Sequence, residues 1–560
     1  MGYNEKPWLS SYSEGVQAKI AYEELCIPDF LERSTREFPH TMALNFMGYT
    51  LTYEMFKDMT DRFARCLSDF GIKKGDSIAI LLPNTIQCVV AYYAILRIGG
   101  IAVMNNPLYS DKELLHQFND SGAKALITID LVANRMISLR PQTPIKQIVV
   151  ASIGEYLPFP EGMQIAKKLG LAVDFNQAEN VYRWEDVIAQ TEPEPPVVKI
   201  ELDDIAQYQY TGGTTGVSKG VVLTHSNLSK NVQQVASWFP NQKRGNEVML
   251  GALPFFHVFG LTTSMNYAVF MSWENVLVPK PQPDQLIEAF EKFKPTFLPM
   301  VPTMYIGILN HPKIKDLDLS YLTGCFSGSA PLPVDVIRKF EEKTGIVICE
   351  GFGMTESSPV THINPFAKGK TKPGSIGVPM PDTECRLVDI NDRKTDVALG
   401  KSGELIIRGP QVMRGYKGKP EETKETLRDG WLHTGDIARM DEDGYFYIVD
   451  RLKDMIISGG YNVYPRDIDE VLFQHPKVAE ACAVGVPHPS RGEAVKVFVV
   501  LKEGESATQE EIIDFCKDKL AKYKWPEEVE FRAVLPKSAV GKILRKDLRA
   551  EELAKREHIV

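Results

Sequence analysis

The chain has 560 residues, a length that exceeds a single hydrophobic core and predicts two or more domains. Its 64 basic and 73 acidic side chains give a net charge of −9, which argues against nucleic acid as a main partner because neutralising phosphates needs a basic surface. The eight cysteines form no Cys-x-x-Cys pair, so we expect buried free thiols in a reducing compartment.

No segment predicts a membrane span. The first ten residues carry charges and lack the apolar core of a signal peptide. The most apolar region, residues 77–104, is interrupted by Pro83, Asn84, Arg97 and a Gly-Gly pair. A span needs roughly 20 uninterrupted apolar residues, so this region is better explained as buried elements of a globular domain. Peripheral contact with a membrane stays open.

Strand-like and helix-like patterns alternate over residues 51–150. They predict helices at residues 51–69, 85–97 and 111–121, the second of them amphipathic, and strands at residues 77–82, 101–104 and 123–128. Strands separated by helices of this length indicate βαβ units and a mainly parallel sheet. Residues 152–200 are richer in proline and polar side chains and suggest an insertion.

A glycine- and threonine-rich segment follows the predicted strand that ends at Tyr210. Its backbone can approach a ligand closely, and its hydroxyls, N–H groups and lysine suit phosphate oxygens. A second strand begins at Gly220, and Ser218 rather than glycine precedes Lys219, so the segment fails the Walker A spacing. We call it the phosphate loop: Thr211, Gly212, Gly213, Thr214, Thr215, Gly216, Val217, Ser218 and Lys219. An ordinary Gly/Thr turn is the alternative.

The pattern of predicted secondary structure changes twice in the second half of the chain. Strand–helix alternation continues over residues 247–356, and short β-like runs predict a β subdomain within residues 379–447. Residues 450–454, Asp-Arg-Leu-Lys-Asp, mark a boundary because four of the five are charged. Beyond it an α+β module is predicted, with helices at residues 465–474 and 509–523 and strands at residues 478–486, 494–501 and 529–534.

Three further motifs carry side chains that suit a nucleotide. In residues 351–356, Gly-Phe-Gly-Met-Thr-Glu, the ring can lie against a purine, the threonine can bond a phosphate and Glu356 is an oxygen ligand suited to Mg²⁺. Asp436 ends a motif that can hold two ribose hydroxyls, and Lys542 follows Gly541 at a predicted loop tip. Taken singly, Glu356 could instead be a surface or capping carboxylate, Asp436 a turn-forming aspartate and Lys542 part of a solvated basic face.

Together the motifs resemble those of the adenylate-forming superfamily, the acyl-CoA synthetase and luciferase-like enzymes. The segments that match its core motifs, in the family's order, are residues 210–220, 254–257, 351–356, 431–436, 450–457 and 536–545. Residues 106–109, 409–413, 458–465 and 492–496 resemble the bacterial long-chain fatty acyl-CoA synthetases in particular. The resemblance extends over nearly the whole chain.

The resemblance implies an α/β fold. Its large N-terminal domain has mainly parallel α/β subdomains plus a β subdomain, and its small C-terminal domain is mobile and α+β. We therefore expect a large adenylation domain at residues 1–449, a hinge at residues 450–455 and the small domain at residues 456–560. Lys453 lies at the position of the family's hinge residue, about which the small domain rotates between two half-reactions. A charged linker without a defined rotation is the alternative.

The resemblance also implies the reaction. The carboxylate of a long-chain fatty acid attacks the α-phosphate of ATP and expels pyrophosphate; coenzyme A then takes the acyl group and AMP leaves. ATP, Mg²⁺ and coenzyme A are thus expected. The alternatives are a medium-chain or aryl acid–CoA ligase, or an enzyme that loads a carrier protein. A non-catalytic nucleotide- or lipid-binding protein would be expected to lack Lys542, Glu356 or Thr355, and all three are present.

Most of the motif residues are implied to bind the nucleotide or coenzyme A. The phosphate loop holds the β- and γ-phosphates, residues 328–330 line the adenine and the reacting carboxylate, and Phe352 stacks on the adenine. Asp436 and Arg451 hold the ribose hydroxyls, and the face with Tyr461 forms the tunnel for the thiol. The expected set is Thr211, Gly212, Gly213, Thr214, Thr215, Gly216, Lys219, Gly328, Ser329, Ala330, Glu350, Gly351, Phe352, Gly353, Asp436, Arg451, Lys453, Gly459, Gly460 and Tyr461.

The catalytic residues implied by the resemblance are Lys542, Thr355, Glu356 and His257. Lys542 contacts the substrate carboxylate and the α-phosphate in the first half-reaction, and Thr355 bonds the α-phosphate. His257 lies near the carboxylate in the family, with a structural histidine as the alternative. The expected Mg²⁺ ligands are Glu356 with Thr211 or Thr214.

Trp238 resembles the gate tryptophan of the long-chain enzymes, and a core tryptophan is the alternative. We expect a cytoplasmic protein. Because fatty acids enter from a membrane, we leave open its peripheral contact with the inner face of the cell membrane. A homodimer is also left open, since dimers occur among relatives. Trp525 stands where close relatives usually have a small apolar residue, and we have no account of it.

Overall fold

The computed structural model describes residues 3–211, 218–458, 461–538 and 541–557. Contacts divide the chain into two units. The large unit comprises Leu9–Glu384 and Arg408–Gly430, and the small unit comprises Met1–Trp8, Cys385–Ile407 and Trp431–Val560. The expected hinge at residues 450–455 falls inside the small unit, and the domain boundaries given above stay a prediction.

Side-chain caps fix several helix starts. Thr52 accepts a hydrogen bond from the Met55 N–H at 3.2 Å, and Ser110 and Glu113 form a capping box. The α-helices of the described residues are Ile27–Glu37 (α1), Tyr53–Asp69 (α2), Ile86–Arg97 (α3), Asp111–Ser121 (α4), Asp130–Leu139 (α5), Gly162–Lys168 (α6), Trp184–Gln190 (α7), His225–Trp238 (α8), Val258–Gly260 (α9), Tyr267–Phe270 (α10), Pro283–Phe293 (α11), Pro302–Asn310 (α12), Val334–Thr344 (α13), Pro420–Thr426 (α14), Pro465–Phe473 (α15), Gln509–Lys517 (α16) and Arg545–Glu557 (α17).

The strands confirm most of the predicted runs to within one or two residues. They are Met42–Phe46 (β1), Tyr49–Thr52 (β2), Ser77–Leu81 (β3), Ile101–Met104 (β4), Ala125–Ile129 (β5), Gln147–Ala151 (β6), Val181–Arg183 (β7), Ile205–Tyr210 (β8), Gly220–Thr224 (β9), Val248–Gly251 (β10), Glu274–Leu277 (β11), Phe297–Met300 (β12), Gly324–Ser327 (β13), Ile348–Gly353 (β14), Val360–Ile363 (β15), Val378–Pro379 (β16), Glu384–Val388 (β17), Gly403–Arg408 (β18), Gly415–Tyr416 (β19), Leu427–Arg428 (β20), Trp431–Met440 (β21), Phe446–Arg451 (β22), Ile456–Ser458 (β23), Tyr461–Val463 (β24), Val478–His488 (β25), Gly492–Leu501 (β26) and Glu528–Phe531 (β27).

Two large sheets form the large unit. One has the order β19-β9-β8-β4-β3-β5-β6-β7 and is parallel from β8 to β7, with β9 and β19 antiparallel at one edge. The other has the order β16-β15-β14-β13-β12-β10-β11-β1-β2 and is parallel from β14 to β1. The prediction of mainly parallel α/β subdomains is confirmed.

Two predictions for the large unit need correction. The helix α3 is not amphipathic, since every residue from Ile86 to Leu96 is buried and an all-round apolar surface is what a core helix requires. The segment 152–200 is not simply an insertion. Its strand β7 pairs with β6 in parallel and extends the sheet, and Trp184, which follows, is fully buried.

In the small unit, β17 neighbours β18, and β21 pairs antiparallel with both β18 and β22. A second sheet has the order β24-β23-β26-β25, with β27 parallel to β26. The predicted helix 509–523 is shorter than expected. It ends at Lys517, and a 3₁₀ turn, Lys522–Lys524, follows. The Trp525 indole N–H donates to the Leu520 carbonyl at 2.8 Å. Pro526 comes next and disfavours helical backbone at Trp525.

All eight cysteines are buried and free, as predicted, while the reducing compartment stays a prediction. Within the described residues, no helix has both the length and the apolar character needed to cross a membrane.

Candidate active site

Several predicted site residues lie where parallel strands of the nine-stranded sheet end. Ser327 in β13 pairs with Glu350 in β14, so residues 328–330 and the end of β14 leave the same edge of the sheet. The carboxyl edge of a parallel sheet is where α/β proteins place ligands. Beyond β10 at this edge, the buried Asn84 amide donates to the Gly251 and Leu253 carbonyls at 2.9 and 2.7 Å and orders the loop that leads to His257.

Glycines in these loops are required by close packing. A Cβ on Gly351 would lie 2.4 Å from the Phe326 ring, and one on Gly353 would lie 2.1 Å from the Pro359 carbonyl oxygen. A Cβ on Gly328 would lie 3.0 Å from the Phe259 ring, so residues 328–330 pack against the helix that follows His257. Ser329 has a positive φ of 72°. The backbone of the predicted adenine loop is thus fixed by contacts within the protein.

Around β14 the predicted residues adopt distinct environments. Glu350 is buried, and its Oε1 accepts a hydrogen bond from the Leu332 N–H at 3.3 Å, which links it to the residues after Ala330. Phe352 is half-buried, with its ring edge-on to the His362 ring at 6.1 Å. Thr355 begins a 3₁₀ turn, Thr355–Ser357. An exposed face of Phe352 would allow the predicted stacking on a base.

The phosphate loop is described at its two ends. Gly212, Gly213, Thr214, Thr215 and Gly216 lie outside the described residues. At the base, the Thr211 N–H donates to the Lys219 carbonyl at 3.1 Å, and His116 Nε2 lies 2.8 Å from the Ser218 carbonyl oxygen. Lys219 is held over the Tyr416 ring, with Nζ 4.2 Å from the ring centroid. The two ends of the phosphate loop are therefore hydrogen-bonded to each other where β8 ends and β9 begins.

Glu356, the predicted metal ligand, is buried and oriented. Its Oε1 accepts a hydrogen bond from the Tyr416 hydroxyl at 2.7 Å, and its carbonyl accepts one from the Met413 N–H at 2.8 Å. The described residues hold no cluster of three or more His, Cys, Asp or Glu side chains suited to a metal. One oriented carboxylate fits Mg²⁺, which takes one or two carboxylates and completes its shell with water and phosphate oxygens.

His257 and Trp238 have structural contacts that leave their predicted roles untested. His257 caps α9, with Nδ1 accepting from the Phe259 N–H at 3.2 Å. Trp238 ends α8 and is fully buried, with its indole N–H donating to the Asn364 carbonyl at 3.0 Å and its ring edge-on to Tyr12 at 5.1 Å. The catalytic role of His257 and the gate role of Trp238 stay predictions.

A second group of predicted residues meets in the small unit. Asp436 in β21 pairs with Arg451 in β22, and Arg451 Nε lies 3.4 Å from Asp436 Oδ1. Asp436 is buried; burial raises its pKa, while Arg451 and Lys542 act in the opposite direction. Burial and then Arg451 lower the pKa of Lys542 to about 8, against the opposite pull of Asp436 and Asp454. The structure thus brings together the predicted ribose residues and Lys542.

Glu404 is a residue of this group that the sequence analysis missed. It is fully buried and accepts hydrogen bonds from Arg393 Nε at 2.6 Å and from the Gly435 N–H at 3.3 Å, and His433 Nδ1 lies 3.0 Å from it. Burial alone would raise the pKa of Glu404, but hydrogen bonds from His433 and Arg393 lower that pKa to about 2. Glu404 thereby holds the turn before Asp436. Its place ahead of the apolar run Leu-Ile-Ile is a signal of a buried charge.

The expected hinge and thiol face are partly described. Gly459 and Gly460 lie outside the described residues. Lys453 is exposed, and its carbonyl accepts from Arg549 Nη1 at 3.4 Å. Tyr461 is 59% exposed, and its ring stacks on Tyr523 with centroids 4.7 Å apart. An exposed aromatic pair beside the glycines fits a face that receives a ligand.

The chain belongs to the family of AMP-binding enzymes. The model of that family matches residues 31–417, and the model of the AMP-binding enzyme C-terminal domain matches residues 467–542. The family and its C-terminal domain confirm the predicted superfamily.

Curated relatives match the chain from end to end. It is 44% identical over 553 residues to the long-chain-fatty-acid–CoA ligase of Bacillus subtilis (strain 168), covering 98% of each chain. It is 40% identical over 570 residues to the long-chain-fatty-acid–CoA ligase of Escherichia coli O157:H7, covering 98% of this chain and 99% of that one. A crystal structure of the anthranilate CoA ligase AuaEII in complex with anthranoyl-AMP matches with a TM-score of 0.84 at 26% identity, over 95% of this chain and 98% of that chain. The fold class is confirmed.

Proposed function

We propose that this protein converts a long-chain fatty acid to its acyl-CoA through an acyl-adenylate, consuming ATP and coenzyme A and releasing AMP and pyrophosphate. The observation that carries the acid's identity is the 44% identity to a long-chain-fatty-acid–CoA ligase over 98% of both chains. The likeness to relatives named for aromatic acids is weaker, at 33% and 26% identity. The long-chain assignment is therefore favoured over the aryl alternative.

In the first half-reaction, a fatty acid carboxylate oxygen bonds to the α-phosphorus as the bond to the pyrophosphate oxygen breaks. Both partners are anionic, so positioning and charge stabilisation supply most of the catalysis. Lys542 provides a cation toward the α-phosphate and carboxylate, and Thr355 donates a hydrogen bond to the α-phosphate. With a pKa of about 8, Lys542 is mostly charged at neutral pH.

The nucleotide is proposed to bind through residues from both groups described above. Residues 328–330, Glu350 and Phe352 line the adenine, while Asp436 and Arg451 hold the ribose hydroxyls. Thr211, Lys219 and the loop between them hold the β- and γ-phosphates. The Asp436 carboxylate is preorganised for two hydroxyls, because Arg451 lies at 3.4 Å and the Thr434 hydroxyl accepts from the Asp436 N–H at 3.0 Å.

Mg²⁺ is proposed to be held by Glu356 with Thr211 or Thr214. When bound, Mg²⁺ neutralises charge on the phosphate oxygens and so assists departure of pyrophosphate. The contribution of the chain is the orientation of the Glu356 carboxylate, which the Tyr416 hydroxyl fixes at 2.7 Å.

In the second half-reaction, the thiol sulfur of coenzyme A bonds to the acyl carbon, AMP leaves with the bonding electrons, and the thiol proton is released. We propose that residues 456–560 rotate about Lys453 between the two steps. Lys542 then leaves, and the face with Gly459, Gly460 and Tyr461 lines the path of the thiol. An exposed Lys453 within a run of charged residues supports a hinge because it lies outside the core.

We also propose that the protein acts in the cytoplasm, with peripheral contact at the inner face of the cell membrane where its apolar substrate partitions. Flotation with lipid vesicles tests this contact, and sedimentation velocity tests for a homodimer.

A substrate series tests the proposed reaction. Pyrophosphate and acyl-CoA are measured with ATP, with and without coenzyme A, for fatty acids of increasing length and for an aryl acid. Long-chain acids should give the highest kcat/KM, and acyl-CoA should form in step with pyrophosphate. Preference for a short or aryl acid would move the chain to the alternative ligases. Equal pyrophosphate release with and without coenzyme A would favour a carrier-loading enzyme.

A further inference from the structure

Tyr416 contacts two predicted site residues that are distant in sequence. It lies on the short strand β19, which pairs with β9 directly after the phosphate loop. Tyr416 stands opposite Val221, and the Lys417 N–H donates to the Gly220 carbonyl at 2.8 Å. The Tyr416 N–H donates to the Thr423 hydroxyl at 2.9 Å. The backbone of Tyr416 is thus fixed from both sides.

The hydroxyl of Tyr416 orients the Glu356 carboxylate. It donates to Glu356 Oε1 at 2.7 Å, while Met413, three residues earlier, donates its N–H to the Glu356 carbonyl at 2.8 Å. One segment consequently fixes both the backbone and the carboxylate of Glu356.

The ring of the same tyrosine supports Lys219. The Lys219 ammonium lies 4.2 Å from the ring centroid, a distance at which the negative face of the ring attracts a cation. Tyr416 is 8% exposed, so the contact is largely shielded from water. The hydroxyl and the ring thus act on different residues, and a substitution can remove one contact without the other.

We propose that Tyr416 is a positioning residue that aims the Glu356 carboxylate at Mg²⁺ and the Lys219 ammonium at phosphate. The inference rests on the proposed function only in requiring that ATP and Mg²⁺ bind; it does not depend on the acid that is activated. A partner that orients a ligating carboxylate belongs to the outer shell of the metal, and its removal typically weakens metal binding about 10–100-fold.

Two variants separate the contacts. Tyr416→Phe removes the hydroxyl and keeps the ring, whereas Tyr416→Leu removes both. Binding of ATP is measured by calorimetry without any acid, in EDTA and over a series of Mg²⁺ concentrations. The matched control is Tyr53→Phe, which loses a buried hydroxyl that donates to the Trp273 carbonyl at 2.8 Å and the Ala268 carbonyl at 3.2 Å. Thermal unfolding of each variant is followed in parallel.

Tyr416→Phe should raise the Mg²⁺ concentration for half-maximal tightening of ATP binding about tenfold while leaving ATP affinity in EDTA unchanged. Tyr416→Leu should also weaken ATP binding in EDTA, by about two- to fivefold, because Lys219 loses the ring. The control should lose thermal stability alone. The same Mg²⁺ dependence in Tyr416→Phe as in the control would overturn the proposal, as would an equal effect of both Tyr416 variants in EDTA.

These outcomes are independent of the substrate series. A wild-type protein that binds ATP with Mg²⁺ and shows the expected variant effects, yet turns over no long-chain acid, would overturn the proposed function alone. Normal long-chain turnover with unchanged Mg²⁺ dependence in Tyr416→Phe would overturn the role of Tyr416 alone.

Discussion

Lys542 is the residue on which the first half-reaction should depend most, and its ionisation provides a measurable signature. Burial and Arg451 lower its pKa to about 8 from an ordinary value of 10.5. A lysine is charged below its pKa, so the charge is present at neutral pH and is lost as the pH rises through about 8. With that pKa, roughly 90% of the side chain is charged near pH 7 and roughly 10% near pH 9, so adenylation should fall about tenfold between them.

The perturbation that isolates this effect is Lys542→Ala. Removing one donor that stabilises developing charge should lower adenylation roughly 10²–10³-fold. Adenylation is followed as exchange of pyrophosphate into ATP in the presence of the fatty acid, and kcat/KM for ATP is taken because it reports the ionisation of the free enzyme. The second half-reaction is followed separately, from preformed acyl-adenylate and coenzyme A. It should be nearly spared.

Wild-type adenylation should lose activity above pH 8, and the residual activity of Lys542→Ala should not show that loss. The same alkaline loss in Lys542→Ala would refute the assignment, since the titrating group would then be another residue. An equally impaired thioester step would refute the division of roles between the half-reactions.

Three further variants test the remaining roles. Lys453→Pro should block thioester formation while adenylation stays measurable, because the ring fixes the backbone at the expected hinge. Trp238→Ala should change fatty acid selectivity or KM in a protein that still folds, although loss of a fully buried tryptophan costs roughly 3–5 kcal/mol. Glu404→Gln should weaken AMP binding roughly tenfold, because the turn before Asp436 loses a charged acceptor.

Each of these variants has a matched control. Lys453→Ala removes the side chain without fixing the backbone, and unchanged turnover of Lys453→Pro would refute the hinge. Trp273→Ala removes another fully buried tryptophan, so an equal change in selectivity there would make Trp238 a core residue. Glu552→Gln alters a buried carboxylate paired with Lys496 at 2.8 Å, and AMP binding weakened to the same degree would remove the specific role of Glu404.

Local signals predicted the elements well where they are stabilised locally. The strand Ile101–Met104 and the helix Asp111–Ser121 begin and end as expected, because a short apolar run and a capping box define them within a few residues. The character of α3 could not be predicted in this way. Its polar groups find partners far along the chain: Gln87 donates to the Ser152 carbonyl at 2.9 Å, and Tyr92 to Gln207 at 3.0 Å.

The candidate site shows the same division. Motifs that we propose to touch substrate, such as those with Glu356 and Lys542, carry their chemistry in adjacent residues and could be proposed from the sequence. Tyr416 and Glu404 were not found in this way. Tyr416 bonds to Glu356, which is 60 residues away, and Glu404 bonds to the Gly435 N–H, which is 31 residues away. A tyrosine between glycine and lysine has no local signature of its hydrogen bond to a carboxylate.

Asp450 is bound to residues that lie beyond the expected hinge at Lys453. Its carboxylate accepts from the Arg466 N–H at 2.8 Å and lies 3.5 Å from Arg545 Nη1, and both partners follow Lys453 in the chain. Rotation about Lys453 must break these two contacts, whereas the ion pair between Arg545 and Asp469 lies entirely beyond the hinge and can persist. Since Arg545 is three residues from Lys542, we expect the contact with Asp450 to restrain Lys542 as well. Breaking it would release both together, so departure of Lys542 and exposure of Asp450 would be one event.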